Sequence, residues 1–203
     1  MEMPPASHKA ERLSPYPVKI EKLLQTAYEN NRLTVKIEAD EFKVNPRRFW
    51  IFNVKSLNEA TFSNLRLEIY LDNATYSNAE LFSFGKGLLS FGKKNTYELT
   101  KRGQITRGVI KKGLTLKVYK VDTLSFVVKA KEAYIDLNTK ETKLVRASIE
   151  NVLSKKLIKS RSVIWDGKDK VFKVPGKYIA QTPKGVASGK GIKVDLNFAV
   201  KLL

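Results

Sequence analysis

The chain has no cysteine and a single histidine, His8. The first absence excludes disulfides and thiolate metal sites but leaves the compartment open, because exported proteins without cysteine are common. The second starves Ser/His/Asp and Cys/His catalysis, since His8 stands in a leader containing four prolines. No apolar run approaches the length of about 18 residues that a membrane-spanning helix needs, and no signal-peptide core is present. The chain as given is therefore expected to be soluble. Carboxylates are scarce: 20 Asp+Glu face 38 Lys+Arg in 203 residues, a formal net charge of +18. The one acidic cluster, Glu38, Asp40 and Glu41, reads better as partners for Lys36 and Lys43 than as an acid–base pair. No catalysis and no cofactor are expected.

The charge is uneven. Residues 1–100 carry 14 basic and 12 acidic side chains, whereas residues 101–203 carry 24 and 8. An anionic counterpart suits the second half: nucleic acid, a phospholipid surface or a phosphorylated glycolipid. Arg47-Arg48-Phe49-Trp50 mixes guanidinium and aromatic groups as single-strand binders do. It reads more simply as a hairpin after Asn45-Pro46 that leads into a strand.

A short phrase recurs. Ala130-Lys131-Glu132-Ala133-Tyr134-Ile135-Asp136-Leu137-Asn138 returns as Gly189-Lys190-Gly191-Ile192-Lys193-Val194-Asp195-Leu196-Asn197, with a looser echo from Ala39 to Asn45. Each is a β-rich run closing on a turn-forming residue, which suggests one strand-and-turn unit used several times. Residues 1–17 read as a flexible leader. From Val18 to Asn31, Ile20, Leu23, Leu24, Ala27 and Tyr28 fall at helical spacing and predict a short amphipathic helix over 18–31. Beyond Arg32, period-two alternation dominates, as in Leu33-Val35-Ile37, Leu65-Leu67-Ile69-Leu71, Leu114-Leu116-Val118 and Ile192-Val194-Leu196. Turn signals separate the runs at Asn45-Pro46, Asp72-Asn73, Asn138-Thr139, Asp166-Gly167, Pro175-Gly176 and Pro183-Lys184-Gly185. The expectation is all-β: a sandwich, barrel or open roll of many short antiparallel strands, forming one domain over 32–203. The glycines at 85, 87, 92, 103, 108 and 113 are expected to bend the sheet, since their spacing is not that of a phosphate loop.

From Phe126 to the end the order of motifs resembles the LptC family, periplasmic lipopolysaccharide-transport proteins whose fold is shared with LptA. The likeness rests on Lys129 to Lys140, the strand from Leu144 to Asn151, Leu157 to Asp166, Lys170 to Gly176, and the ending Gly185 to Leu196. The family's N-terminal membrane anchor is expected to be absent from the chain as given, with attachment to the inner membrane left to a full-length form. The resemblance implies an open β-jellyroll that carries lipopolysaccharide in a greasy interior towards the outer membrane. It further implies exchange with other jellyroll proteins and with an inner-membrane transporter complex through edge-strand pairing. By alternation, the expected groove residues are Phe126, Val128, Ile135, Leu137, Ile149, Ile164, Phe172, Ile179, Ile192 and Val194. Lys159, Arg161, Lys170 and Lys177 are expected at the rim, facing lipid A phosphates. The alternatives are an envelope adaptor without ligand and a basic nucleic-acid-binding β-domain, the latter disfavoured because its cations are dispersed.

Overall fold

The computed structural model describes residues 18–49, 52–71 and 104–203. The leader, Trp50, the Asp72-Asn73 signal and the glycines from 85 to 103 lie outside the described residues. The rest is all-β. Eleven strands run in chain order: β1 (Val18–Glu29), β2 (Arg32–Phe49), β3 (Phe52–Leu71), β4 (Gln104–Lys120), β5 (Thr123–Ala130), β6 (Glu132–Asp136), β7 (Glu141–Asn151), β8 (Lys156–Asp166), β9 (Val171–Thr182), β10 (Gly185–Asp195) and β11 (Val200–Leu202). They form one sheet in the order β1-β2-β3-β4-β5-β7-β8-β9-β10-β11, with β6 continuing the line of β5 between β4 and β7. Every pairing is antiparallel except β3 with β4. A parallel pair needs a crossover connection, and the chain between these strands is residues 72–103.

The predicted helix over 18–31 is instead strand β1 and its turn. Lys22 adopts φ 54°, a left-handed conformation that breaks the alternation without shifting the register to β2. Ile20 and Leu23 consequently lie opposite the buried Phe42 and Ala39 of β2 despite their spacing of three, Leu23 packing on the core and Ile20 staying largely exposed near the strand's start. That spacing imitated a helix. Asn30 and Asn31, with φ 50° and 62°, form the two-residue turn to β2 that such backbone angles favour.

An interruption recurs along the strands from β3 to β10, left-handed at some and a break in pairing at others. On β3, Phe62 and Leu65 are both buried around Asn64 (φ 52°). On β4, Lys112 (φ 62°) and Gly113 (φ 123°) separate Ile110 from Leu114. Lys131 divides β5 from β6, Arg146 (φ 51°) divides β7, Arg161 divides β8, Pro175-Gly176 divides β9 and Gly191 (φ 71°) divides β10. The pairing registers align these sites into one transverse crease. Along it the sheet folds over, so that single long strands supply both layers of a jellyroll-like sandwich. Phe126 of β5 proves the layers meet: its ring stacks 5.8 Å from Phe172 of β9, which is no neighbour of β5 in the sheet.

Pro175-Gly176 is thus a bend within β9 and Asn45-Pro46 lies inside β2, where the sequence signals read as chain reversals. The recurring Asp-Leu-Asn is a true turn. The backbone N–H groups of Asn138 and Thr139 donate to the Asp136 carboxylate at 2.9 and 3.1 Å, and those of Asn197 and Ala199 donate to Asp195 at 2.9 Å each. Asp166 plays the same part for Lys168 and Asp169, at 2.9 and 3.1 Å. A short carboxylate that satisfies the first N–H groups after a strand is what ends it.

Candidate functional site: the apolar interior

The inner face of the folded sheet is apolar from β1 to β10. Its largest side chains with under 2 % exposure include Trp165, Phe126, Phe172, Ile37, Leu65 and Ile110. Two aromatic groups hold it. Phe42 and Phe62 pack at 4.8 Å on the neighbouring strands β2 and β3. At the other end Trp165 lies 4.7 Å from Phe172, and Phe126 joins Phe172 with Phe198. Phe198 comes from the turn after β10 and meets Phe126 edge-on, so it closes that end of one layer onto the other.

Of the ten residues expected to line a groove, Phe126, Val128, Ile135, Ile149, Phe172, Ile192 and Val194 converge in this interior. Leu137 is half-buried and packs on the same cluster from the turn after β6. Two residues do not belong. Ile164 points to the outer face, because its neighbours Val163 and Trp165 take the inner positions and its register partner is Lys173. Ile179 is 48 % exposed, out of phase with the inward Tyr178 and Ala180. Three consecutive apolar residues, Val163-Ile164-Trp165, leave the phase of a strand ambiguous until its pairing is known.

The four rim candidates do not ring one mouth. Lys159, Arg161 and Lys177 are exposed on the outer surface of β8 and β9 near the crease. Lys170 lies in the β8–β9 turn, at the far end of those strands. Alternation also passed over Trp165, Leu144, Val174 and Phe198, all buried here. Trp165 was visible in the sequence, but only its register with Phe172 puts it inward.

Several charges on the outer face of the first strands are paired. Glu38 accepts from Lys36 at 2.6 Å and Arg66 at 3.4 Å, and Glu41 accepts from Lys43 at 2.7 Å. The ammonium groups of Lys36 and Lys43 hold these two carboxyls below their ordinary range. Asp40 accepts from the Asn64 amide at 3.1 Å across the crease. Tyr70 stacks on Tyr119 and donates to Glu68; burial, reinforced by that carboxylate, pushes its phenol up to about 12. These contacts zip neighbouring strands together. Asp166 and Lys173, 2.6 Å apart, do the same for β8 and β9.

Among the described residues, two ends of the sheet have no further strand partner. β1 exposes Ile20, Leu24 and Tyr28 at one end. At the other, β11 pairs only with Ile192 to Val194, so β10 from Gly185 to Lys190 has an unpaired edge, with Val186 69 % exposed. Compared with protein-family models and with curated proteins, the chain gives no match to either.

Proposed function

We propose that this protein is a non-catalytic carrier of the cell envelope, which shelters the acyl chains of an anionic lipid between the layers of its folded sheet. Lipopolysaccharide is the expected cargo, other jellyroll proteins and an inner-membrane transporter complex the expected partners, and the periplasm the expected compartment. The observation that carries this reading is a continuous apolar inner face on a sheet that, among the described residues, does not close: its hydrogen-bonded path begins at β1 and ends at β11. A closed barrel offers no edge. An open roll offers two, and a partner strand added at either would extend the apolar face from one protein to the next. Each acyl methylene buried there contributes roughly 0.8 kcal/mol. Because Phe126, Phe172 and Phe198 are packed together, cargo enters by parting the layers at this aromatic contact.

That packing also favours a second reading, an adaptor that carries no ligand and joins envelope proteins through its free edges. Titration with lipopolysaccharide at low and at high salt separates the two, read by Trp165 fluorescence and checked by native mass spectrometry. Saturable binding that survives high salt supports the carrier, since burial of apolar area is not screened. Absence of saturable binding, with capture of a β-rich partner by the free protein, supports the adaptor.

A further inference from the structure

The crease that makes two layers from one sheet also builds a row of cations. Lys112 of β4 lies across from Lys131, in the gap between the β4–β5 and β4–β6 pairings. Lys131 donates its backbone N–H to Val145, next to Arg146 of β7. Arg146 stands opposite Arg161 of β8, at the one step their ladder skips. Arg161 borders Lys177 of β9, and Lys177 pairs in register with Lys190 of β10. All six residues are exposed. With strands about 4.8 Å apart, the row extends on the order of 25 Å.

What sets this row apart is its alignment by strand register; two further observations, which it shares with other lysines of the chain, describe its members. The first is the lack of neutralisation. On the outer face of β1 to β4, Lys19, Lys36, Lys43, Arg66 and Lys117 all have carboxylate partners. Among the described residues none of the six crease cations has one, and Glu132, beside Lys131, already accepts from the Tyr134 hydroxyl at 2.8 Å. The second is the backbone. Lys112 and Arg146 hold φ 62° and 51°, where glycine or asparagine would cost less. Long cationic side chains are kept where the conformation disfavours them.

We propose that this crease is a docking ridge for an anionic phospholipid surface. The outside of a fold is convex, so it meets a plane along a line and cannot enclose a polymer. Among the described residues no exposed aromatic ring stands among the six to stack on a base, as single-strand binders require; Tyr178, beside Lys177, packs on the core. Long, mobile side chains on a ridge suit a plane of phosphates, where each cation contributes roughly fivefold in affinity, the equivalent of about 1 kcal/mol. The inference is independent of what fills the interior.

The test is co-sedimentation of the whole chain with phosphatidylcholine vesicles, with and without phosphatidylglycerol. The protein is expected to bind only the anionic vesicles and to be released by salt. The triple variant Lys131→Glu/Arg161→Glu/Lys177→Glu, at positions without left-handed backbone, is expected to lose at least about a hundredfold in partitioning. The control Lys168→Glu/Lys170→Glu/Lys201→Glu, with the same change in charge away from the crease, is expected to lose only a few-fold. Should circular dichroism reveal that the crease variant does not fold, Lys131→Gln/Lys177→Gln takes its place, with an expected loss of roughly thirtyfold. Three results would overturn the proposal: no binding to anionic vesicles at low salt, equal losses in crease and control variants, or tighter crease-dependent binding to an oligonucleotide at equal phosphate. Lipid uptake into the interior that survives salt is a separate readout, unaffected by any of these.

Discussion

Phe126→Ala removes the ring that joins the two layers. Phe126 is 0 % exposed, and its centroid lies 5.8 Å from both Phe172 and Phe198. Truncation forfeits the burial of the ring and leaves a cavity that packed strands on both sides fill only in part. Such changes cost about 3–5 kcal/mol. Of this, roughly 0.5–1.5 kcal/mol belongs to each ring pair, and a double-mutant cycle with Phe172→Ala isolates the share of that contact. For a chain of this size each kcal/mol lowers Tm by about 2–4 °C, so a fall of roughly 6–20 °C is expected. Trp165, 1 % exposed and 4.7 Å from Phe172, reports the transition in denaturant when Trp50 is replaced by Phe. A cost below about 1 kcal/mol would refute the reasoning, because it would mean that the ring does not pack between layers. The same variant divides the functional readings. If acyl chains enter by parting this contact, Phe126→Ala takes up lipopolysaccharide faster than the wild type, whereas the adaptor reading expects no uptake in either.

Neighbouring positions on paired strands should respond in opposite ways to the same substitution. Phe172→Arg buries an unpaired charge and should abolish the cooperative melt, while Ile164→Arg, on the outer face, should leave Tm within a few degrees. Arg146→Gly relieves a left-handed backbone and should raise stability by about 0.5–1 kcal/mol in chemical denaturation, while weakening binding to anionic vesicles. Burial pushes the Asp166 carboxyl up, but the Lys173 ammonium and the N–H groups of Asp169 and Lys168 outweigh it and hold it below its ordinary value of 3.8. Its contribution is therefore full above pH 3.8 and is lost as pH falls below that towards the depressed folded value. Asp166→Asn should lower Tm by roughly 3–6 °C at neutral pH and flatten the acid limb of the Tm–pH profile.

Alternation of apolar and polar residues was enough to identify the strands beyond Arg32, because a half-buried strand has period two whatever it pairs with. The turns at Asp136 and Asp195 were equally legible, since an Asx turn is local: one carboxylate and the N–H groups two to four residues on. The strand at Val18–Glu29 was not. Its residues opposite the buried Phe42 and Ala39 are spaced by three only because Lys22 turns left-handed, and that conformation is held by pairing to β2. Ile164 and Ile179 were misplaced for a related reason: the phase of an apolar run depends on its partner strand, which no local pattern encodes.

The sequence by itself determined a β-rich chain, its turn chemistry and a strongly basic second half, because propensity, periodicity and formal charge are properties of short segments. Where the strands bend, which face is dry and which charges stand together were decided only by the tertiary structure. Lys112, Lys131, Arg146, Arg161, Lys177 and Lys190 are scattered in the chain, one to a strand or strand junction. They become a row because hydrogen-bonded register places the interruption of each strand beside that of the next.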